Sequence, residues 1–365
     1  MKIRALIAEF NPLHEGHKYI IDKMKDDGAV IAVMSGNFVQ RGECAVFGKA
    51  DRAVTAVKNG VDLVIELPLV YSLGAAERFA RGSIEIIKSM GTADELWFGS
   101  ECGDIKKICE AAEAIKDEGA ALKKAIKENL RNGLSFPAAR YAALKKMGSA
   151  GEILNSPNNI LAAEYIRAIK SAHIPLTPIT VKREPPHGEA FFSASDARRA
   201  IKDGRLLYEG LTPVFTESFD KIISAELKTA QKEYLMEFAD CSREIASRLI
   251  KAASENTFDG ILENAVCKNY TYGRIRRVMC NILTGNRFRM FPFPTYIRPL
   301  AFGKRGAELL KLIKKNSSIP VISRGASVKK DEIFKLECRG SDIYSLAKGT
   351  KGGEEYSFIP MYINY

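Results

Sequence analysis

The chain has 365 residues, 46% of them hydrophobic and 27% charged, which suits two soluble globular domains with ample core. Its longest apolar stretch, 63–76, is broken by Glu66 and Pro68, so no segment reaches the ~20 apolar residues of a membrane span and no membrane partner is expected. The net charge of +11 is concentrated: residues 268–315 hold twelve Lys and Arg against one acid, Glu308, and account for the whole excess, which points to a polyanionic partner.

The first residues, Met1-Lys2-Ile3-Arg4, lead into a strand-like run rather than a cleavable leader. Seven cysteines form no Cys-x-x-Cys pair, and with four histidines in all they predict free thiols in a reducing cytoplasm and no bound metal site. In chain order, the apolar run 4–10 predicts a strand and the spacing over 16–25 a helix. Strands are predicted at 30–34, 61–69 and 96–98, with helices at 49–59 and 75–90. This alternation implies βαβ units and a parallel sheet, whose ligands lie beyond the carboxyl ends of the strands. Residues 105–146 and 160–172 read as helices, 177–183 as a fifth strand, and 195–202 as a helix capped by Ser195. Past residue 205 the pattern is mostly helical through 283. A smaller β-α-β pattern follows at 296–302, 307–315 and 319–323, and 348–355 reads as a mobile loop.

The polar segments after the strands carry the chemistry. His14 and His17 lie three apart around Gly16, where the first strand turns into the first helix. That spacing puts both imidazoles on one face, beside free amides and the positive end of the helix dipole. Gly16 removes the Cβ that would obstruct a phosphate. Adenylyl transfer needs charge stabilised on the α-phosphate and on departing pyrophosphate more than it needs a covalent nucleophile. Two imidazoles supply that, as neutral donors or as cations. Ser195 and Arg198, at the start of a helix, could hold the β- and γ-phosphates. Ser35, Gly36, Asn37, Gln40 and Arg41 directly follow an apolar strand, with a density of donors that suits the group reacting at the α-phosphate.

Together these residues resemble a known family. A strand followed by His-x-Gly-His and a helix, with a later Ser-x-Ser-x-x-Arg, resembles the nucleotidyltransferases related to class I aminoacyl-tRNA synthetases. The fuller strings Glu9-Phe10-Asn11-Pro12-Leu13-His14-Glu15-Gly16-His17 and Met34-Ser35-Gly36-Asn37-Phe38-Val39-Gln40-Arg41-Gly42-Glu43 are similar to those of the bacterial tRNA(Met) cytidine acetate ligases. So are Trp97-Phe98-Gly99-Ser100-Glu101, Ser156-Pro157-Asn158-Asn159-Ile160-Leu161, Val181-Lys182-Arg183-Glu184, Tyr270-Thr271-Tyr272-Gly273-Arg274 and Asp342-Ile343-Tyr344. The resemblance covers nearly the whole chain. It implies a Rossmann-like parallel-sheet α/β nucleotidyltransferase domain with a helical insertion at 1–205, then a mostly helical α+β, basic tRNA-binding domain at 206–365.

The activity it implies uses ATP, with Mg2+, to convert acetate to acetyl-adenylate and moves the acetyl group to the wobble cytidine of elongator tRNA(Met). It also implies that ATP is held by Ile7-Ala8-Glu9-Phe10-Asn11-Pro12-Leu13-His14-Glu15-Gly16-His17-Lys18-Tyr19-Ile20, by Gly99, by Asn158 or Asn159, and by Arg183. The family more often has Phe and Asn where this chain has Leu13 and Glu15, and Glu15 is expected to point outward. Acetate is a small anion that needs fixed donors, for which Asn37, Gln40 and Arg41 are candidates. For the tRNA, the basic block offers Lys268, Tyr272, Arg274, Arg276 and Arg277, interleaved with Tyr270, Phe288, Phe291, Phe293 and Tyr296 that could stack an unpaired base. A rival reading is a small-cofactor adenylyltransferase acting on a phosphorylated metabolite, which leaves the basic block unexplained. Another is a non-catalytic RNA-binding protein with a relict nucleotide fold.

Overall fold

The structure, a computed structural model, describes residues 2–116, 120–134, 136–146, 153–183 and 193–364; Glu184 of the last upstream motif lies outside them. Nine strands form within these residues: β1 Lys2–Ala8, β2 Gly28–Ser35, β3 Phe38–Val39, β4 Glu43–Cys44, β5 Leu63–Leu67, β6 Glu95–Ser100, β7 Thr177–Lys182, β8 Pro299–Phe302 and β9 Met361–Tyr362. Seven of them make one sheet in the order β7-β6-β1-β2-β5-β8-β9. The first five of these are mutually parallel, β8 runs antiparallel to β5, and β9 is parallel to β8. β2 is buried at every position, as a central strand covered on both faces must be. The helix Glu15–Lys25 returns the chain to β2, and Ala76–Met90 returns it to β6. One core cluster lies on each side of the sheet.

After β5 the chain returns across the sheet to β6, on the far side of β1. The strand order therefore reverses at β1, and the switch point lies between the carboxyl ends of β1 and β6. That crevice is where ligands of open parallel sheets bind. It is lined by the histidine loop and by Gly99-Ser100-Glu101.

The C-terminal part departs from the expected small β-α-β unit. β8 joins the main sheet instead, and 319–323 contributes a single bridge, Ile297 to Val321, because Pro320 and the two serines before it leave no ladder to continue. Helix Lys304–Asn316 runs beneath the sheet: Gly303 N bonds Asp62 O at its start and Ser318 N bonds Ser89 O past its end. Both anchors lie at the amino ends of parallel strands, opposite the switch point. The segment 348–355 is no free loop either. Gly349 ends helix Glu332–Lys348 in a left-handed conformation (φ +73°), and the short helix Glu354–Ser357 buries Glu355 in an ionic cluster. No helix among the described residues is long and apolar enough to cross a membrane. All seven cysteines are free.

Candidate active site

β1 ends at Ala8, and Glu9–Leu13 carry the chain over the top of the sheet. Phe10 is fully buried in a left-handed conformation (φ +45°), and the Asn11–Pro12 bond is cis. Asn11 is also buried: its Oδ1 accepts from Val46 N at 2.8 Å, while its Nδ2 donates to nothing among the described residues. The helix then opens on a reciprocal cap. Gly16 N donates to His14 Nδ1 at 3.1 Å, and His14 N donates to His17 Nδ1 at 3.3 Å. The two rings lie 3.9 Å apart between centroids, and Phe10 packs edge-on against His17.

Burial and neighbouring charge move both pKa values down. Burial, then the charge of Arg183, hold the His14 pKa down to about 4, against the opposing pull of Glu15 and with a further push from Arg198. Burial, then His14 and Arg183, hold His17 well below its ordinary value. Both rings are therefore neutral near pH 7, and the cationic role allowed for them is corrected: two imidazolium rings this close and this buried would repel. A neutral imidazole whose Nδ1 accepts an N–H carries its proton on Nε2. The loop thus presents two Nε2–H donors, and positive charge comes from elsewhere.

Arg183 and Arg198 supply that charge. Arg183 follows β7, and its N bonds Ser100 O at 2.9 Å. Gly99 sits against it: a Cβ there would lie 3.2 Å from Arg183 Cγ and 3.3 Å from Ile20 Cδ1, so the glycine admits both side chains. Arg198 Nη1 donates to Asn11 O at 2.9 Å and Nη2 to Ser195 Oγ at 3.3 Å, and its guanidinium lies 3.2 Å from Glu43. The late serine–arginine motif therefore does meet the histidine loop. The cap of its helix is Ser193, not Ser195: Ser193 Oγ accepts from Asp196 N, and Ser195 stands exposed in the first turn.

The two asparagines separate. Asn159 Oδ1 accepts from Glu101 N (2.9 Å) and Cys102 N (3.2 Å), and its Nδ2 donates to Ile153 O (3.0 Å). It is 3% exposed and committed to holding the loop after β6. Asn158 is half-buried, and its Nδ2 bonds Glu101 Oε1 at 2.7 Å. Glu15 turns outward to Lys18 Nζ at 2.7 Å, and Tyr19 is exposed.

The segment after β2 is a hairpin, not a solvated loop. β3 pairs with β4, and Gly42 (φ +78°) makes the turn. A Cβ on Gly42 would stand 2.5 Å from Arg277 N, so helix Tyr272–Thr284 rests directly on this turn. Gln40 N donates to Glu9 Oε1 at 2.9 Å, and Arg41 lies near enough to pull on the Glu9 carboxyl. Burial, then Glu43, push that carboxyl up. Ser35 is buried, and Asn37 is engaged at both ends of its amide, accepting from Lys49 N and donating to Ser341 Oγ. Asn37 locks the hairpin in place, which leaves Gln40 and Arg41 as the accessible part of the set.

The family model for HIGH nucleotidyl transferases matches residues 1–356. The chain belongs to the HIGH nucleotidyl transferase family. A tRNA(Met) cytidine acetate ligase from Caldanaerobacter subterraneus subsp. tengcongensis is 36% identical over 386 residues, covering 95% of this chain and 96% of that protein. One of the same name from Clostridium kluyveri is 33% identical and covers all of both chains. The crystal structure of Thermotoga maritima TmcAL bound with alpha-thio ATP superimposes with a TM-score of 0.90 at 27% identity over all of both chains. As a member of this family, with these relatives, the protein is an ATP-using ligase.

The remaining basic residues do not form one surface. Lys268 is exposed, Tyr272 is 54% exposed, and Arg274 lies over the Tyr270 ring at 5.0 Å. Arg276 sits between Glu43 (3.8 Å) and Asp259 (4.0 Å). Arg277 is tucked in, and burial lowers its pKa. Arg298 is 2% exposed and paired with Glu66 and Glu355, and Tyr296 is 1% exposed, so neither meets a partner. Lys304 through Lys315 ride the helix at the opposite edge. The high count in this window is a count along the chain, and folding divides it.

Two elements escaped the sequence reading. Arg52, 2% exposed, donates to Phe47 O, Glu9 O, Ser35 O and Gly36 O, pinning the ends of β1 and β2, and burial holds its pKa down to about 10. Lys49 heads a buried cluster with Glu66, Glu337 and Glu355. Glu66, set in the otherwise apolar Val64-Ile65-Glu66-Leu67, was the visible signal.

The depressed His14 pKa has a measurable consequence. Between about pH 6.5 and about 4 the unfolded chain binds a proton that the folded site refuses, so stability falls as pH is lowered through that window. From His14 alone the fall amounts to about 3 kcal/mol. Urea unfolding at pH 7 and pH 4.5 should show a larger difference for the native protein than for His14→Asn; equal differences would contradict the buried, neutral His14.

Proposed function

We propose that the protein activates acetate with ATP and transfers the acetyl group to the N4 amine of the wobble cytidine in elongator tRNA(Met), giving N4-acetylcytidine. An acetate oxygen attacks the α-phosphorus, forming acetyl-adenylate as pyrophosphate leaves. The cytidine N4 then attacks the acetyl carbonyl carbon; AMP departs with the acetate-derived oxygen, and one N4 proton is lost. The observation that carries this reading is the pair of Nε2–H donors at a helix N-terminus on the sheet's switch point, with the charges of Arg183 and Arg198 near enough to act on His14. Neutral donors and fixed cations aimed at one crevice suit a reaction whose charge develops on phosphate oxygens.

We assign ATP to the segment Ile7–Ile20 with Gly99, Asn158 and Arg183. Asn158 is chosen because Asn159 is committed to backbone groups. Asn11 Nδ2, buried and unpaired among the described residues, is a further donor for it. Among the described residues no three His, Cys, Asp or Glu side chains converge to hold a metal of their own, so Mg2+ is assigned to the substrate, entering as MgATP. Gln40 and Arg41 fit acetate. Lys268, Tyr272 and Arg274 fit the tRNA backbone, and the helical stretch of 206–365 that precedes β8 is proposed to bind it, since β8 and β9 belong to the main sheet.

The relatives named tRNA(Met) cytidine acetate ligase support the choice of acceptor. The test is to incubate the protein with ATP, labelled acetate and bulk tRNA, digest the RNA to nucleosides and analyse them by mass spectrometry. Labelled N4-acetylcytidine is expected, dependent on ATP. Pyrophosphate release with no acetyl group on RNA would reject the acceptor and favour a small-molecule one.

A further inference from the structure

Large apolar side chains stand exposed at several places on the surface, and at one of them arginines lie against the neighbouring rings. Met290 is 85% exposed and Phe293 62% exposed, three residues apart. Their segment is nonetheless firmly held. Arg78 donates with both arms of its guanidinium, to Phe288 O at 2.8 Å and Arg289 O at 2.9 Å. The Tyr71 hydroxyl donates to Pro292 O at 3.0 Å, and Phe288 N donates to Asn286 Oδ1 at 3.1 Å. Phe291 packs on Tyr71 and meets Phe293 edge-on, with ring centroids 6.0 Å apart. The Arg81 guanidinium lies 4.0 Å from the Phe291 ring centre and 5.7 Å from that of Phe293. Among the described residues no carboxylate pairs with Arg81 or Arg289.

Exposed apolar side chains on a segment whose backbone is tied down by hydrogen bonds mark a binding surface. Its chemistry narrows the partner. Unpaired guanidinium groups call for anions, and an exposed ring with a guanidinium beside it calls for a flat π-face. Single-stranded RNA supplies both in every nucleotide. The position agrees. Tyr71 lies four residues past the carboxyl end of β5, so the patch stands on the same edge as the histidine loop. Two strand spacings separate β5 from β1, about 10 Å laterally.

Resting on the tRNA reading above, we propose that Phe293, with Met290 and Arg81, is a stacking platform for an unpaired base flanking the target cytidine. Arg78 and Tyr71 position the platform and do not touch the base.

The test uses the full-length protein and an anticodon stem–loop RNA carrying 2-aminopurine beside the target cytidine, whose fluorescence falls on stacking. Native protein should quench it. Phe293→Ala should abolish the quenching and weaken RNA affinity about tenfold or more, with acetate-dependent ATP–pyrophosphate exchange unchanged. Phe293→Trp should restore both. Phe293→Ala that binds and quenches like the native protein would overturn the platform alone. A native protein that binds no RNA would instead sink the parent reading. Loss of exchange and of thermal stability in Phe293→Ala, unrescued by Trp, would make the residue structural. A native dimer that Phe293→Ala dissociates, seen by sedimentation, would make the patch a self-contact; either result overturns the proposal.

Discussion

His14→Asn should lower the rate of adenylate formation about 10²–10³-fold while leaving the fold nearly as stable at pH 7. The Asn Oδ1 can take the place of His14 Nδ1 and keep the bond from Gly16 N, so the helix cap survives. What is lost is the Nε2–H. Removing one donor of this kind from a preorganised site typically costs that factor in turnover. His14→Ala removes cap and donor together and should cost a further ~1 kcal/mol of stability. Acetate-dependent ATP–pyrophosphate exchange, measured beside urea unfolding, separates the two effects. An Asn variant that keeps native exchange rates would show that His14 caps the helix and does no more.

The largest stability effect should come from Lys49→Met. Lys49 is 4% exposed and faces Glu66, Glu337 at 3.0 Å and Glu355 at 2.8 Å. Burial would pull its ammonium down, but Glu337, Glu355 and Glu66 outweigh that and raise its pKa. Burial, then Glu66, push the Glu337 pKa up to about 7, while Lys49 and Arg298 overcome burial to hold Glu355 at about 2. The methionine variant leaves three buried carboxylates with Arg298 alone, and breaking a buried pair this way costs roughly 3–5 kcal/mol. Adding Glu337→Gln should restore part of that loss, since it removes the carboxyl group that Glu66 and Glu355 crowd and keeps an acceptor for Leu69 N. Urea midpoints of the two single variants and the double variant measure the coupling. Additive losses would mean that the two side chains stabilise the fold independently.

The parallel sheet and the histidine loop were legible in the sequence because both are local. Strands β1, β2, β5, β6 and β7 appear as apolar runs, and His14-Glu15-Gly16-His17 follows the first of them without a break. Arg198 was read from its place at a helix start, while Arg183 and Gly99 came only through resemblance, since nothing in their spacing along the chain says that they meet. The protonation of the histidines was not legible, because it depends on burial and on Arg183, which lies 166 residues from His17 in number. The basic window misled for the same reason. Arg298 belongs to a buried cluster and Lys304–Lys315 to the far edge, although all of them are near neighbours of Arg274 along the chain. Asn37 was read as a substrate donor from its setting after a strand, yet its amide is spent on Lys49 N and Ser341, 304 residues away. The buried cluster joins β5, the helix Lys49–Lys58 and two C-terminal helices, so only Glu66, an acid inside an apolar strand, signalled it in advance.

The central claim is that the histidine loop joins acetate to the α-phosphate of ATP. Acetate labelled with 18O in both oxygens, supplied with ATP and tRNA, tests it directly by mass spectrometry of the nucleotide product. If acetyl-adenylate forms, AMP carries one 18O for each acetyl group transferred, and pyrophosphate carries none. AMP without 18O, or label in pyrophosphate or inorganic phosphate, would mean that acetate never attacks the α-phosphate and that this loop serves a different reaction.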